Sequence, residues 1–183
     1  MKKYITKQKI FSLILKLLVA GVIILVDLLT KNFFQNYFKN GDKSPINVIS
    51  NVISFVYVKN TGAAFGIFEN NAVLLAIFSV VFLLAFILFD LFSGKRNVWY
   101  FVGVSFIIGG AIGNMVDRVA FGFVRDFIYL DFIGWFPVFN IADLFLSVGV
   151  ICFMVYIIFY MFKEDKPKED KQNIPFNNTK KPS

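Results

Sequence analysis

The chain has 183 residues, of which 57% are hydrophobic and 25 are phenylalanine, and its formal net charge is +7. This composition is too apolar for an ordinary soluble domain of that length and favours residence in a membrane. The chain has no histidine, which excludes Ser-His-Asp and Cys-His catalysis and imidazole metal sites. Its single cysteine, Cys152, lies in an apolar run and has no intrachain partner for a disulfide. Any catalysis must therefore use carboxylates, hydroxyls, lysines or amides.

Four apolar segments are long enough to cross a bilayer, which needs about 20 residues. They are residues 10–29, 72–92, 98–116 and 144–162. The first segment follows a basic start, MKKYITKQK, but no convincing cleavage site follows it, so we expect a retained anchor. In the third segment Gly109 and Gly113 form a G-x-x-x-G pattern, which predicts close packing between helices.

Basic residues concentrate on one side of the four predicted spans. Thirteen of the nineteen lie in the N-terminal arm, the turn between spans two and three, and the tail, if Lys16 snorkels to that side. The positive-inside rule makes this side cytoplasmic and places both termini there. The net charge is thus mainly a topology signal, and a nucleic-acid partner is not expected. We expect residues 1–162 to form one membrane domain and residues 163–183 to form a disordered basic tail.

Two loops remain for the extracytoplasmic side. The first, from about Thr30 to Asn71, contains INVISNVISFVYVKN, whose β-branched and aromatic residues predict a small sheet. The second runs from Asp117 to Asp143, and its aromatic residues suit the headgroup interface. We expect a short interfacial helix near Phe127 to Phe132, ended by Gly134 and Pro137. The predicted fold is an all-α membrane core of four transmembrane helices with a small extracytoplasmic β-sheet and this interfacial helix.

Polar residues near the outer ends of the spans need an explanation. The spacing of Asp27 and Lys31 puts them on one helix face, either as a structural ion pair or as part of a site. Asn114 lies in the last turn of the third span, where an amide needs partners. Asp117 and Arg118 follow it and fit either an ordinary boundary pair or a site.

Residues 122–143 of the second loop hold three aspartates among apolar residues. Asp131 has no special neighbour, and we expect it to be solvated. Asp143 begins the fourth span, where an aspartate also suits a helix N-terminus. Asp126 has no such explanation, and the loop is long enough to bring it to Asp143. Two carboxylates in one site share a proton between an acid and a base, a hydrolytic mechanism that needs neither histidine nor metal.

Five motifs, taken in order, resemble those of the lipoprotein signal peptidases, the type II signal peptidases of bacteria. They are Asp27-x-x-x-Lys31, KNTGAAFGIF (59–68), GGAIGNMVDR (109–118), VRDF (124–127) and FNIAD (139–143). The resemblance covers about residues 20–162. It implies four transmembrane helices with both ends in the cytoplasm, a small extracytoplasmic sheet and an interfacial helix.

The resemblance also implies an aspartic endopeptidase that removes the signal peptide of prolipoproteins just before a diacylglyceryl-modified cysteine. The positions that match the catalytic aspartates are Asp126 and Asp143. The positions that match substrate-binding or dyad-orienting groups are Asn60, Asn114, Arg118 and Asn140. The positions that match supporting polar groups are Asp27, Lys31 and Asp117. Among these, Asn114 and Arg118 look like groups that hold the substrate backbone.

Further expectations follow from the same resemblance. The enzyme would work as a monomer at the extracytoplasmic side of the bacterial cell membrane, on lipidated prolipoproteins and among membrane lipids. No cofactor or metal is expected, and the apolar second loop would receive acyl chains. Arg125 stands where the pattern does not require a charge. We expect it to lower the pKa of Asp126, which leaves open which aspartate carries the proton.

Three alternatives remain at this point. A small transporter would place polar residues near the centres of several spans. An assembly subunit with no hydrolytic activity would use the glycine face but leave the outer polar residues unexplained. A metal-dependent phosphotransferase would hold Mg²⁺ on clustered aspartates.

Overall fold

The computed structural model describes residues 7–39, 44–62, 68, 71–92 and 97–164. Seven elements lie in these ranges: α1 (Lys7–Lys39), β1 (Ile46–Ile49), β2 (Ile53–Asn60), α2 (Ala72–Phe92), α3 (Val98–Phe121), β3 (Val124–Leu130) and α4 (Ile141–Glu164). Within them, four helices are long and apolar enough to cross a membrane, which confirms the predicted number of spans. The expectations for the N-terminal arm, most of TGAAFGIF, the turn before Asn97 and the tail concern residues 1–6, 63–67, 93–96 and 165–183, which lie outside the described residues.

Helix α3 is the centre of the bundle. It packs against α1, α2 and α4. In its most apolar stretch of 18 residues 61% is buried, compared with 6% in the corresponding stretch of α2. The core around it is apolar apart from the hydroxyl of Tyr100, and comprises Ala20, Leu83, Tyr100, Val104 and Ile108. The outer end of α3 therefore has a fixed position relative to α1 and α4.

Small residues let α3 approach its neighbours closely, as the glycine pattern predicts. A Cβ on Gly109 would lie 2.9 Å from the Cβ of Ile23 on α1. A Cβ on Gly110 would lie 2.4 Å from the carbonyl oxygen of Ala142 on α4. Because no side chain fits at these crossings, the backbones of the three helices meet where the polar residues gather.

Helix α1 is longer than predicted. The span was expected to end near Leu29, but the helix continues to Lys39. Its 33 residues extend about 50 Å, which exceeds the roughly 30 Å thickness of a hydrocarbon core. The extra turns cover the sheet, where Phe34 packs at ring-centroid distances of 4.5 Å from Phe55 and 4.4 Å from Phe127.

The three strands form one antiparallel sheet in the order β1-β2-β3, as the outer sheet prediction requires. The predicted interfacial helix near Phe127 to Phe132 is wrong, because Phe127 and Ile128 lie in β3. Both of their N–H groups donate to the carbonyl oxygen of Phe139, at 3.0 and 2.8 Å. On its other edge β3 pairs with β2, with Asn60 opposite Val124. These pairings satisfy the backbone polar groups in extended form, and β-branched and aromatic residues tolerate that conformation well.

A buried polar cluster lies far along α1 from the sheet. Lys16 is 2% exposed, so the expectation that it snorkels to the cytoplasmic side is wrong. It forms an ion pair with Asp90 at the end of α2, and the Tyr100 hydroxyl donates to the same carboxylate oxygen at 2.8 Å. The pair fixes α2 to the rest of the bundle.

Candidate active site

Asp126 lies in β3 with its side chain 1% exposed. The side-chain amide of Asn60, at the end of β2, donates to its Oδ2 at 2.8 Å. The side-chain amide of Asn140, just before α4, donates to its Oδ1 at 2.6 Å. The pairing of β2 with β3 brings Asn60 to this carboxylate, so two elements hold Asp126 in one orientation.

Asp143 lies in the first turn of α4 and is half-buried. Its N–H donates to Oδ1 of Asn140 at 2.9 Å, and the N–H of Asn140 donates to its Oδ2 at 3.1 Å. This reciprocal arrangement is a capping box, with Asn140 at the N-cap. Asn114 on α3 donates to its Oδ1 at 2.6 Å. The expected helix-N-terminus role of Asp143 and its place beside Asp126 are therefore compatible.

Asn140 connects the two carboxylates. Its backbone N–H binds Asp143 and its side-chain amide binds Asp126, and the same amide donates to Oδ1 of Asn114 at 3.0 Å. Asn114 in turn donates to Asp143, which completes a closed hydrogen-bond network. The structure thus brings together four residues from α3, β3 and the start of α4.

Burial raises the pKa of Asp126 to about 7, and the nearby charge of Asp143 adds to this rise. The amides of Asn60 and Asn140 and the charge of Lys31 act in the opposite direction, because they favour the carboxylate. A carboxyl with this pKa carries a proton in a substantial fraction of molecules near neutral pH. The arrangement therefore suits a pair that shares one proton.

A cavity of about 440 Å³ opens beside the pair. Its polar end is formed by Asn60, Asn114, Arg118 and Asp143. The remainder is largely apolar and includes Phe136, Pro137 and Val138 of the segment before α4. An elongated, mostly apolar ligand with one reactive polar group fits such a cavity.

Asp27, Lys31 and Asp117 lie beneath this site and are fully buried. Lys31 Nζ is 2.7 Å from Oδ2 of Asp27 and 3.5 Å from Oδ2 of Asp117, and it donates to Oδ1 of Asn114 at 2.9 Å. Asp27 Oδ1 accepts the N–H of Ala142 at 2.9 Å, which fixes the start of α4 to α1. The predicted pairing of Asp27 with Lys31 is confirmed, and the pair borders the site.

Arg118 does not pair with Asp117, so of the two alternatives for these residues the boundary pair is wrong. Arg118 Nη2 donates to the carbonyl oxygen of Gly62 at 3.1 Å, and the side chain lines the cavity. Asp117 instead binds Arg125, with 2.6 Å between its Oδ1 and Nη2. Adjacent residues on a helix point in different directions, which sends Arg118 to the cavity and Asp117 to the interior.

Two further expectations about this region are wrong. Arg125 lies on the face of β3 opposite Asp126, and the pKa of that carboxyl is raised by burial and Asp143, with Lys31 as the opposing charge. Asp131 is not simply solvated, since its Oδ2 accepts the Ser54 hydroxyl at 2.7 Å and its N–H donates to the carbonyl oxygen of Val52. Asp131 therefore stabilises the sheet and takes no part in the hydrogen-bond network around Asn140.

Two polar residues of this region, Asn32 and Gln35, were not predicted from the sequence. They follow Lys31 on α1 and bind the guanidinium of Arg125 at 2.5 and 2.8 Å. Their spacing of three residues was the available signal, because it places two amides on one helix face beside Lys31. Within the described ranges, no group of three or more aspartate, glutamate or cysteine side chains is arranged to hold a metal ion.

Comparison with known proteins decides the family. A family model described as signal peptidase (SPase) II matches residues 19–159. The chain belongs to the signal peptidase II family. The lipoprotein signal peptidase of Clostridioides difficile is 42% identical over 152 residues, which cover 81% of this chain and 98% of that protein. The lipoprotein signal peptidase of Lactobacillus johnsonii is 38% identical over 151 residues, which cover 82% and 96%.

The fold is also similar to that of a solved membrane-enzyme structure. A structure described as a bacterial membrane enzyme matches with a TM-score of 0.72 and 31% identity, over 85% of this chain and 94% of that one. The resemblance read from the five motifs is confirmed, and so is the multi-pass membrane fold. Signal peptidase II is a protease family, so the transporter, assembly and phosphotransferase alternatives lose their support.

Proposed function

We propose that this protein is an aspartic endopeptidase that removes the signal peptide from diacylglyceryl-modified prolipoproteins, cutting on the N-terminal side of the lipidated cysteine. Membership of the signal peptidase II family supports the removal of signal peptides from prolipoproteins. The observation that carries the aspartic mechanism is the link from Asp126 through Asn140 to Asp143, beside an apolar cavity.

The two carboxyl groups take different roles. Asp126 is the less exposed of the two, and its pKa of about 7 allows it to hold the shared proton near neutral pH. Asp143 borders the cavity at the N-terminus of α4, where the positive end of the helix dipole favours a carboxylate. Asp143 is therefore the base and Asp126 the acid.

Hydrolysis then proceeds in two steps. Asp143 takes a proton from a water molecule whose oxygen attacks the carbonyl carbon before the lipidated cysteine, while Asp126 gives its proton to the carbonyl oxygen. In the second step the C–N bond breaks as Asp143 passes its proton to the leaving amine. Asp126 recovers a proton from a hydroxyl of the tetrahedral intermediate, and the dyad returns to its starting state.

The neighbouring amides and Arg118 divide the remaining work. Asn60 and Asn140 orient Asp126, and Asn114 orients Asp143. Because the Asn114 side chain already binds three polar partners, we assign it to the dyad rather than to the substrate backbone. Arg118 reaches the cavity with a fork of N–H donors, which suits the carbonyl groups of an extended substrate.

The membrane arrangement follows from the charges and the site. The dyad lies at the C-terminal end of α3 and the N-terminal end of α4, whereas Lys7 and Lys9 begin α1 at the opposite end of the bundle. The positive-inside rule then places both termini in the cytoplasm and the dyad at the extracytoplasmic side. A lipidated substrate reaches it by lateral diffusion, with its acyl chains among membrane lipids and the apolar residues before α4. A monomer contains all the proposed site residues.

A gel-shift cleavage assay in detergent tests this function. The purified chain is given a diacylglyceryl-modified prolipoprotein and, as the matched control, the same prolipoprotein without the lipid, each in the absence and in the presence of EDTA. We expect cleavage of the lipidated form alone. Equal cleavage of both forms would contradict the proposed substrate, and loss of cleavage on adding EDTA would contradict the metal-independent mechanism.

A further inference from the structure

Arg125 is a buried charged residue that the mechanism above does not use. Its side chain is 2% exposed, although it belongs to a strand of the small sheet outside the four helices. Along a strand, side chains alternate between faces, so Arg125 points away from the cavity while Asp126 points toward it. A buried guanidinium is tolerated when its charge is paired and its N–H groups are bound.

The contacts of Arg125 join three elements. Its Nη2 lies 2.6 Å from Oδ1 of Asp117 on α3, and its Nε donates to both oxygens of that carboxylate at 3.2 and 3.1 Å. Its Nη1 donates to Asn32 and Gln35 on α1, and its backbone N–H donates to Asp117 Oδ2 at 3.0 Å. All three guanidinium nitrogens are therefore bound, and β3 is fixed to α1 and α3 one residue before Asp126.

The same cluster reaches the other aspartate of the dyad. Asp117 attracts Lys31 at 3.5 Å, Lys31 donates to Asn114 at 2.9 Å, and Asn114 donates to Asp143 at 2.6 Å. Lys31 and Asn140 both donate to the oxygen of the Asn114 amide, so the nitrogen of that amide is turned to Asp143. Lys31 is thus one of two groups that set the orientation of Asn114.

Charge balance sets the position of Lys31. The buried cluster holds two acids, Asp27 and Asp117, and two bases, Lys31 and Arg125. With Arg125 on Asp117, Lys31 stays close to Asp27 and Asn114. Without Arg125, the uncompensated carboxylate of Asp117 would draw Lys31 toward itself and away from Asn114.

We infer that Arg125 is a positioning residue for the dyad: it fixes the β3 backbone at Asp126, and by neutralising Asp117 it keeps Lys31 on Asn114, which holds Asp143. The inference rests on the proposed function, in which Asp126 and Asp143 carry out hydrolysis. It gives Arg125 two separable properties. Its planar fork of guanidinium N–H donors fixes the β3 backbone, and its positive charge balances the buried cluster of Asp27, Lys31 and Asp117.

The charge property has a readout that a purely structural residue would not affect. The charged groups that act on the dyad are Lys31 from α1 and Arg118 from α3, and each aspartate acts on the other. Displacing Lys31 toward Asp117 weakens its stabilisation of the dyad anion. The acidic limb of the kcat profile should then move to higher pH.

Two substitutions separate the properties, with kcat, KM and the pH profile measured on lipidated prolipoprotein, and thermal denaturation followed in detergent. For Arg125→Met we expect a loss in kcat of roughly 10- to 100-fold, the effect of misplacing a catalytic group by about 1 Å. KM should change little, and the acidic limb of the kcat profile should move to higher pH. For Arg125→Lys we expect the limb to stay near its wild-type position while kcat remains reduced, because an ammonium keeps the charge but not the fork. Lys59→Gln is the control, since Lys59 is the exposed cross-strand partner of Arg125.

The outcomes are distinguishable. A folded Arg125→Met protein with the wild-type kcat and pH profile, even at a lower denaturation temperature, would overturn the inference. If that variant does not fold, the double variant Asn32→Ala and Gln35→Ala is measured instead, because it keeps the ion pair of Arg125 with Asp117. A reduced kcat in the double variant would support the positioning role, and a wild-type kcat would overturn it. Wild-type protein that does not cleave would overturn the proposed function and this inference together, whereas normal Arg125→Met activity beside inactive dyad variants would overturn this inference alone.

Discussion

Asn140 and Asp143 bind each other reciprocally at the start of α4, at 2.9 and 3.1 Å, while the side chain of Asn140 also binds Asp126 at 2.6 Å. The residue that caps α4 therefore also links the two aspartates by hydrogen bonds. The local structure of FNIAD and the proposed chemistry depend on the same residue.

Asn140→Ala should reduce cleavage strongly. The change removes the side-chain hydrogen bond to the Asp126 carboxyl and the acceptor of the Asp143 N–H, and one bond to a charged group contributes about 1.5–3 kcal/mol. We expect kcat to fall by roughly 10- to 100-fold, because about 1.4 kcal/mol corresponds to a factor of ten. The measurement is kcat on lipidated prolipoprotein. A variant that retains full kcat would show that Asn140 acts only as a cap.

The stability of the protein should fall as pH rises toward neutrality. The pKa of Asp126 is about 7 in the folded protein, whereas its ordinary value is 3.8, so the folded state holds this proton more tightly than the unfolded chain. The stabilisation is complete below 3.8 and is lost as pH rises through about 7. Asp126→Asn removes the titration. The difference in denaturation temperature between this variant and the wild type should therefore be larger at about pH 8 than at about pH 5. We expect the difference to grow by at least about 3 °C, which corresponds to roughly 1 kcal/mol.

Measuring both proteins in the same detergent at the two pH values provides the control for general pH effects. A difference in denaturation temperature that stays constant with pH would show that Asp126 has an ordinary pKa. It would also remove the support for Asp126 as the holder of the proton.

Gly113→Ala should disturb the support of the dyad. The added Cβ would lie 2.7 Å from Oδ2 of Asp27 and 3.2 Å from the Cβ of Ala142, so Asp27 must move away from the start of α4. Overpacking of this kind costs about 1–3 kcal/mol, and we expect lower thermal stability together with reduced kcat. Gly21→Ala is the matched control, because no atom lies within 4 Å of its added Cβ. Equal behaviour of the two variants would contradict the close approach of α1, α3 and α4.

Asp90→Asn should affect stability without affecting chemistry. The change leaves the buried ammonium of Lys16 without its counter-ion, which typically costs about 3–5 kcal/mol. Lys16 lies 15 residues before Lys31 on α1, or roughly 22 Å along the helix axis, so kcat per folded molecule should stay near the wild-type value. Thermal denaturation and single-turnover cleavage separate the two effects. A large fall in kcat at unchanged stability would indicate coupling along α1.

The four spans were readable from the sequence because their signals are local, whereas the pairing of Asp126 with Asp143 came from the resemblance to a family. Long apolar runs reveal helices, and FNIAD reveals both a cap and an aspartate. The spacing of Asp27 and Lys31 correctly predicts an ion pair, since four residues make about one helical turn.

The errors concern contacts between distant segments. The sequence of β3 is compatible with helix or strand, and its pairing with β2 and with Phe139 decides for strand. The partners of Lys16 and Arg125 lie on other helices, so no local pattern predicts them. Asp131 was expected to be solvated because Ser54, to which it binds, lies 77 residues earlier in the sequence.

The most direct measurement compares Asp126→Asn, Asp143→Asn and Asp131→Asn with the wild type in single-turnover cleavage of a lipidated prolipoprotein. Asp131→Asn is the matched control, since it replaces an aspartate of the same segment that binds Ser54 and lies outside the dyad. We predict that the first two variants, folded as judged by thermal denaturation, lose nearly all activity, while the third stays close to the wild type. Substantial cleavage by either dyad variant, or complete loss in Asp131→Asn, would contradict the assignment of Asp126 and Asp143 as the catalytic pair.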